Sequence, residues 1–146
     1  MKYLYLSIFF IFLISSCNPQ INKIIISSEN APKAIGPYSQ AVLAGNTLYL
    51  SGQIAINPLT GNMVTDNIEN ETKQVMTNLE AVLKQAGFEF KNVVSTTIYV
   101  TDMENYKKVN EIYASYFTSD FPARATVQVA KLPKNANVEI SMIASK

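Results

Sequence analysis

Two charged side chains in this sequence are candidates for chemistry, Arg124 and Glu139. Arg124 is the only arginine of the chain and begins a segment in which apolar and polar residues alternate. A guanidinium pairs with a carboxylate through two parallel hydrogen bonds, a geometry that lysine cannot reproduce. The structural alternative is a surface salt bridge, because most charged side chains face water.

Glu139 lies between Val138 and Ile140 in an otherwise apolar segment. Partial removal of its carboxyl group from water would raise its pKa towards the range in which a carboxylate can activate water. In an alternating strand the same side chain can instead simply point to solvent. The residues alone leave both interpretations open.

Smaller polar groups occur at three further positions. Tyr38 follows Gly36-Pro37, and Ser51 precedes Gly52. Glycine allows the backbone to approach a ligand closely, while tyrosine and serine supply hydroxyl groups. Asn110 falls on the aromatic side of a predicted helix, where an amide can hold either a ligand or a backbone group. Turns and capping are the structural alternatives for these residues.

Composition excludes several kinds of chemistry. The chain of 146 residues has no histidine and one cysteine, which removes histidine relays, Cys-His nucleophiles and the ligand sets that zinc requires. With 12 Lys+Arg against 11 Asp+Glu and a single arginine, an extended basic face for nucleic acid is not expected. We therefore expect one domain with a small-molecule site or protein contacts, and no metal.

The apolar pattern predicts the elements that must position these residues. A helix is predicted over 71–85 with Gly87 as its C-terminal cap. Asp102 is predicted to cap a second helix, whose apolar face comprises Tyr106, Val109, Tyr113, Tyr116 and Phe117. Strands are predicted over 24–26, 39–43, 47–56, 93–101, 124–131 and 137–144. Strands that alternate with two helices predict an α+β or α/β layer, with the helices on one side of a mixed sheet.

The amino terminus has the layout of a secretory signal. Lys2 precedes an apolar run over 3–14 that is shorter than the roughly 20 residues of a membrane-spanning helix. Ile14-Ser15-Ser16-Cys17 resembles a bacterial lipobox, in which the cysteine is lipidated and becomes the first mature residue. We therefore predict a signal peptide over 1–16, a lipid anchor at Cys17 with a tether over 17–23, and a folded domain over 24–146.

This prediction places the protein in the cell envelope, attached to a membrane through the lipid. Removal of Lys2 with the signal leaves 11 basic and 11 acidic residues, a net charge of zero. The alternatives are an ordinary cleaved signal and a start codon assigned upstream of a cytoplasmic protein.

From about Glu29 to its end, the chain resembles the reactive-intermediate deaminase family, RidA/YjgF. The resemblance rests on several short motifs in the family's order. They are Ala34-Ile35-Gly36-Pro37-Tyr38-Ser39-Gln40, Ser51-Gly52-Gln53-Ile54, Asn57-Pro58-x-Thr60-Gly61, Asn78-Leu79, Ala86-Gly87, Val109-Asn110, Phe121-Pro122-Ala123-Arg124, Leu132-Pro133 and Val138-Glu139-Ile140. The resemblance implies a chorismate-mutase-like α+β fold that forms a homotrimer, with sites in the clefts between subunits.

The resemblance also implies an activity. Members of the family hydrolyse imines and enamines such as 2-aminoacrylate, 2-iminopropanoate and 2-iminobutanoate to 2-keto acids and ammonia, without a cofactor. By the same resemblance, Arg124 clamps the substrate carboxylate and Glu139 positions or activates water. The remaining pocket residues are then Tyr38, Ser51, Gly52, Asn110 and Thr126.

Two features depart from the family. Many relatives have a cysteine where this chain has Thr126, so no thiol or redox role is transferred. The signal and lipid anchor are the second departure, because the family is mostly cytosolic. The alternative function is therefore a non-catalytic envelope protein that binds a small carboxylate. Ribonuclease activity, a third possibility, is opposed by the single arginine, the lack of histidine and the zero mature charge.

Overall fold

A six-stranded mixed sheet with two helices forms the fold, as described by a computed structural model for residues 22–146. The predicted signal segment 1–16, Cys17 and most of the predicted tether over 17–23 lie outside the described residues. The strands are β1 (Lys23–Ile26), β2 (Ala41–Ala44), β3 (Thr47–Gln53), β4 (Val93–Val100), β5 (Ala123–Gln128) and β6 (Val138–Ser145). The helices are α1 (Ile68–Gln85) and α2 (Tyr106–Ala114). Three short 3-10 turns occupy Phe90–Asn92, Met103–Asn105 and Pro133–Asn135.

The strand order is β1-β2-β3-β6-β4-β5, and only the β4–β5 pair is parallel. The α+β class and the mixed sheet predicted from the sequence are confirmed. The last strand, β6, lies between β3 and β4 and joins the two halves of the chain into one sheet. Helix α2 connects the parallel strands β4 and β5, as a parallel pair requires.

Helix α1 begins three residues before the predicted start. Asn67 caps the helix by accepting a hydrogen bond from the Asn70 backbone N–H at 2.8 Å. Gly87 follows the helix with φ +76°, as its predicted role in the cap requires. One side of the helix packs against the sheet through a fully buried apolar stripe, formed by Val75, Met76, Leu79, Val82 and Leu83.

Helix α2 is shorter than predicted at both ends. Asp102 caps the 3-10 turn ahead of the helix, because its carboxylate accepts from the Glu104 N–H at 2.9 Å. The helix ends at Ala114, so Tyr116 and Phe117 lie beyond it. Both aromatic rings still pack near the core against Phe90, with centroid distances of 5.3 and 5.5 Å. Tyr116 and Phe117 therefore follow the apolar spacing of a helix because they pack against Phe90, although they lie beyond the end of α2.

The two faces of the sheet differ. Along β6 the residues Val138, Ile140, Met142 and Ala144 are buried in the core shared with both helices. The residues between them, beginning with Glu139, are half-buried and point to the opposite face. On that second face, a smaller apolar cluster joins Ile54, Ile56, Leu132 and Ala136, with Tyr99 packed against it. Within the described residues, no helix combines the length and apolar character needed to cross a membrane.

Candidate active site

Glu139 lies on the sheet face opposite the helices and opens into a pocket of about 230 Å³. In β6 it pairs with Tyr99 of β4, and both flanking residues point into the core. The pocket, called the Glu139 pocket below, is lined by Pro32, Lys33, Ile35, Tyr38, Ser51, Gly52, Gln53, Ile54, Ile56, Pro133 and Glu139. Four of the predicted site residues, Tyr38, Ser51, Gly52 and Glu139, are therefore brought together in one subunit.

The carboxyl group of Glu139 is placed by an irregularity in the neighbouring strand. The register between β3 and β6 shifts between Leu50 and Gln53, which puts Ser51 and Gly52 beside Glu139. The Glu139 side chain lies directly against Gly52, in space that a side chain at this position would fill. The strand was predicted to extend to residue 56, but β3 ends at Gln53, and Ile56 forms an isolated bridge with Met63 instead of pairing with β6.

Burial raises the pKa of the Glu139 carboxyl above its ordinary value. The apolar walls of the pocket disfavour the ionised form, because they replace water around it. A carboxylate with a raised pKa is a stronger base than an exposed one, which suits it to take a proton from water. The sequence left open whether Glu139 is partly removed from water or simply points to solvent. In the structure its side chain is half-buried and lines a pocket.

A buried amide fixes the loop that carries Tyr38. Gln40 is only 4% exposed and accepts from the Ser28 N–H at 2.6 Å. Its Nε2 donates to the carbonyl oxygens of Ser28 at 3.1 Å, Ala31 at 3.3 Å and Pro32 at 2.7 Å. These bonds hold the segment that forms one wall of the Glu139 pocket. Gln40 was not predicted as a site residue, although a glutamine beside a strand of small and apolar residues could have indicated a buried amide.

The hydroxyl groups of Ser51 and Tyr38, both predicted to lie in the pocket, make different hydrogen bonds in the single subunit. Ser51 Oγ donates to the Ser39 carbonyl at 2.7 Å, which ties β3 to the start of β2. Tyr38 Oη accepts from the Ile35 N–H at 3.2 Å, so its own O–H stays available as a donor. Tyr38 is 45% exposed at the mouth of the pocket. Of the two hydroxyls, that of Tyr38 is the better placed to reach a ligand.

Arg124 lies in a separate cleft on the helix side of the sheet. It pairs with Thr96 in the β4–β5 ladder, and its guanidinium carbon lies 5.0 Å from the centroid of the Tyr113 ring and 6.0 Å from that of Tyr106. Its Nη2 donates to Tyr106 Oη at 3.4 Å. The cleft, called the Arg124 cleft below, has a volume of about 420 Å³ and is lined by Asn110, Tyr113, Ala114, Phe121, Pro122 and Arg124.

Two aromatic rings hold the guanidinium in this cleft. Cation–π attraction favours the contacts of Arg124 with Tyr106 and Tyr113 and restricts its orientation. The Tyr113 hydroxyl is itself fixed, because it hydrogen-bonds to Thr96 Oγ1 at 3.1 Å. This arrangement differs from the surface salt bridge considered above, since no acidic side chain lies within ion-pair distance of Arg124 among residues 22–146. The guanidinium is therefore available to an external carboxylate.

Asn110 and Thr126 occupy the same region as Arg124. Asn110 lines the Arg124 cleft from α2, and Thr126 follows Arg124 by two residues on the same side of β5. Asn110 Oδ1 and Thr126 Oγ1 are both buried and have no hydrogen-bond partner in the described part of the chain. Buried polar atoms are normally paired, so this region has hydrogen-bonding capacity that the free subunit does not use.

One subunit does not bring all the predicted site residues together. The Glu139 pocket and the Arg124 cleft open on opposite faces of the sheet, so Arg124 and Glu139 cannot contact the same small molecule within one chain. The predicted groups form two separate pockets, one with the Glu139 carboxyl group and two hydroxyl groups and one with the Arg124 guanidinium. Among residues 22–146, no group of three acidic or cysteine side chains is close enough to hold a metal ion.

Known proteins resemble this chain closely. The family model described as Endoribonuclease L-PSP matches residues 28–146. The human protein named 2-iminobutanoate/2-iminopropanoate deaminase is 50% identical over 120 residues, which cover 82% of this chain and 88% of the human protein. Reactive Intermediate Deaminase A, chloroplastic, of Arabidopsis thaliana is 47% identical over 125 residues, covering 86% of this chain and 67% of that protein. The crystal structure of the YjgF gene product from E. coli has a TM-score of 0.81 at 40% identity, covering 84% of this chain and 98% of that one.

Proposed function

Because the chain belongs to the RidA/YjgF family, described as Endoribonuclease L-PSP, we propose that it hydrolyses reactive 2-imino and 2-enamine acids to 2-keto acids and ammonia. The proposed substrates are 2-aminoacrylate, 2-iminopropanoate and 2-iminobutanoate. The observation that supports this activity best is the combination of an aromatic-held guanidinium at Arg124 with a partly buried carboxyl group at Glu139. Relatives of similar sequence are named for the same reaction.

The reaction needs little more than positioning and one base. Arg124 binds the substrate carboxylate and fixes the neighbouring imine carbon. Glu139 accepts a proton from water while the water oxygen forms a bond to that carbon. Glu139 returns this proton to the nitrogen of the tetrahedral intermediate, the C–N bond breaks with departure of ammonia, and the hydroxyl group loses its proton as the carbonyl of the keto acid forms. A carboxylate near the reacting carbon also favours the protonated and more electrophilic iminium.

A complete site requires two copies of the chain. Since Arg124 and Glu139 face opposite sides of one sheet, the site is proposed to form where the Arg124 cleft of one subunit meets the Glu139 pocket of its neighbour. A closed ring of three subunits would repeat this heterologous contact three times and give three equivalent sites. The homotrimer expected for the family satisfies this requirement.

Mixing two inactive variants tests the shared site. Arg124→Ala and Glu139→Gln each lack one half, and we expect each alone to be inactive in an assay that generates 2-iminobutanoate with a pyridoxal-phosphate enzyme. When the two are unfolded and refolded together in equal amounts, random assembly gives about one quarter of the sites both intact groups. Recovery of about a quarter of wild-type activity supports the proposal, whereas no recovery from correctly assembled mixtures would oppose a shared site.

A non-catalytic carboxylate-binding protein is the alternative, because Arg124 would serve both functions. The two differ at Glu139, which hydrolysis needs and simple binding does not. If the wild-type trimer binds 2-oxobutanoate but does not accelerate loss of the imine, the binding function is the better description. If the Arg124→Ala variant has wild-type turnover, the deaminase assignment is wrong.

Cys17 is proposed to attach the protein to a membrane of the cell envelope through a lipid. Support comes from the apolar run over 3–14 and from the position of the single cysteine directly after it. The experiment is labelling with a radioactive fatty acid in a bacterial host, followed by fractionation of the wild type and Cys17→Ser. Label and membrane association that both depend on Cys17 support the anchor, whereas an unlabelled protein in the cytoplasmic fraction of both would rule it out.

A further inference from the structure

Tyr106 holds its phenol group against the guanidinium of Arg124. It is the first residue of α2, and Asn110 and Tyr113 follow it at helical spacing on the same face. Its oxygen accepts from Arg124 Nη2 at 3.4 Å, and its side chain is 39% exposed. From the sequence, Tyr106 was predicted only to lie on an apolar helix face, with no role in the site.

The direction of this hydrogen bond leaves one donor free. Arg124 is always a donor, so the Tyr106 oxygen must be the acceptor and its own O–H is not needed for the contact. A carboxylate bound to the remaining N–H groups of Arg124 would lie next to that O–H. A tyrosine hydroxyl would then add a charge-assisted hydrogen bond to the ion pair.

We propose that Tyr106 binds the substrate carboxylate together with Arg124. The hydroxyl group of Tyr106 donates a hydrogen bond to the carboxylate, while its oxygen and ring hold the Arg124 guanidinium in place. This inference rests on the proposed function of Arg124 as the carboxylate-binding group. It adds a second donor, on a different element, and predicts that recognition of the carboxylate depends on the ionisation of a phenol.

The electrostatic surroundings of Tyr106 agree with this role. The Asn110 amide and the positive charge of Arg124 lower the pKa of Tyr106 below its ordinary value. The groups that face the phenol are Arg124 from β5 and Asn110 from α2. Once ionised, Tyr106 would lose its donor and place a negative charge beside Arg124. A bound carboxylate would then be repelled, so affinity should fall at alkaline pH.

The test is Tyr106→Phe, which removes the hydroxyl and keeps the ring. We expect KM for the imine and Kd for 2-oxobutanoate to rise about fivefold to tenfold, with kcat within about twofold of wild type. Tyr116→Phe is the matched control, because its hydroxyl bonds to the Lys73 carbonyl at 3.4 Å, away from Arg124. This control should leave KM and Kd unchanged.

The pH dependence provides a second readout that a merely structural tyrosine would not change. Affinity of the wild type for 2-oxobutanoate should weaken towards alkaline pH, and Tyr106→Phe should flatten that decline. Unchanged KM and Kd in Tyr106→Phe, or an equal change in Tyr116→Phe, would overturn the inference. The Kd measurement stands apart from turnover, so an inactive wild type that binds 2-oxobutanoate through Tyr106 would contradict the proposed hydrolysis but support this inference.

Discussion

The Glu139 side chain fills the space in which a side chain at position 52 would lie, so Gly52 leaves room for it. A methyl group with ideal geometry at position 52 would lie 2.8 Å from Glu139 Cδ, closer than non-bonded carbons approach, and closer still to Oε1. The Glu139 carboxyl group therefore packs directly against the backbone of Gly52, where the register of β3 is irregular. The requirement for glycine at this point is one of space, because the backbone there does not adopt a positive φ.

Substitution of Gly52 should reduce catalysis more than stability. In Gly52→Ala the new methyl group would displace the Glu139 carboxyl, and a displacement of about 1 Å of a reacting group can cost about 100-fold in rate. We expect kcat for 2-iminobutanoate to fall by about this factor, measured in the coupled assay, with the oligomer retained.

Gly45→Ala is the control for this substitution. Gly45 has φ +59° in the β2–β3 turn, and nothing lies within 4 Å of an added methyl group. Its replacement should lower the melting temperature through backbone strain of about 1 kcal/mol and leave kcat unchanged. Equal loss of activity in both variants would indicate that stability, and not the position of Glu139, limits the rate.

The raised pKa of Glu139 predicts an acid limb in the activity profile. The proposed hydrolysis uses the ionised Glu139 carboxylate as base, so kcat should fall as the pH is lowered through its raised pKa. Glu139→Gln should be nearly inactive at every pH. A full acid limb in an active Glu139→Gln variant would assign that limb to another group.

The same shift affects stability in a defined direction. Because burial raises the pKa of Glu139, the folded state binds its proton more tightly than the unfolded state does. The contribution of this group is therefore most favourable below its unfolded pKa and is lost as pH rises through the folded pKa. At neutral pH we expect Glu139→Gln to unfold at a higher temperature than wild type, and at pH 3 the difference should disappear.

Arg124→Lys should separate charge from geometry in the Arg124 cleft. Lysine keeps the positive charge but loses the planar fork and the extended contact with Tyr106 and Tyr113. We expect KM for the imine to rise about tenfold or more, since one charge-assisted hydrogen bond is lost. Arg124→Ala should abolish turnover while the proposed trimer persists. Sedimentation velocity checks the assembly, and a wild-type KM in Arg124→Lys would show that charge alone suffices.

A buried carboxylate links α1 to the start of β6. Glu71 is fully buried, and it accepts from the Asn137 backbone N–H at 2.7 Å and from Asn137 Nδ2 at 2.9 Å. In Glu71→Gln two amide NH2 groups can face each other, and we expect a loss of about 1–3 kcal/mol in the free energy of unfolding. Urea unfolding at a fixed protein concentration measures this loss, because the proposed assembly would contribute to the measured stability.

The double variant Glu71→Gln/Asn137→Asp should recover much of that stability. Its glutamine Nε2 can donate to the new carboxylate, while the glutamine oxygen still accepts from the backbone N–H. Asn137→Asp alone brings two carboxylates together and should be the least stable of the three. If the losses in the two single variants simply add in the double variant, the two side chains are not coupled.

The local elements of the fold follow from the sequence. The β-branched segments predicted strands, and the apolar spacing over 71–85 predicted α1, because these patterns reflect which side of an element meets the core. The errors lie at element ends, where local spacing is a weak guide. Asn67 extended α1 at its start, and packing of Tyr116 and Phe117 imitated a helical repeat beyond Ala114.

The candidate site was accessible to sequence reasoning only in part. Arg124 could be identified as a candidate because it is the only arginine of the chain. The alternating residues around Glu139 limited the environment of its side chain to either a pocket or solvent. Tyr106 and Gln40 received no site role, because an aromatic residue on a helix face and an amide beside a strand have common structural explanations. Their roles depend on which groups face them across the fold.

The sequence by itself determined which segments form helices and strands, which residues are candidates for chemistry and which family the chain resembles, because these depend on residues that are close together along the chain. Only the tertiary structure decided that β6 enters between β3 and β4, and that Arg124 and Glu139 face opposite sides of the sheet. The physical reason is the distance along the chain between the partners. Pairing of β3 with β6 joins residues that are about ninety positions apart, and only the packing of the whole core selects that arrangement.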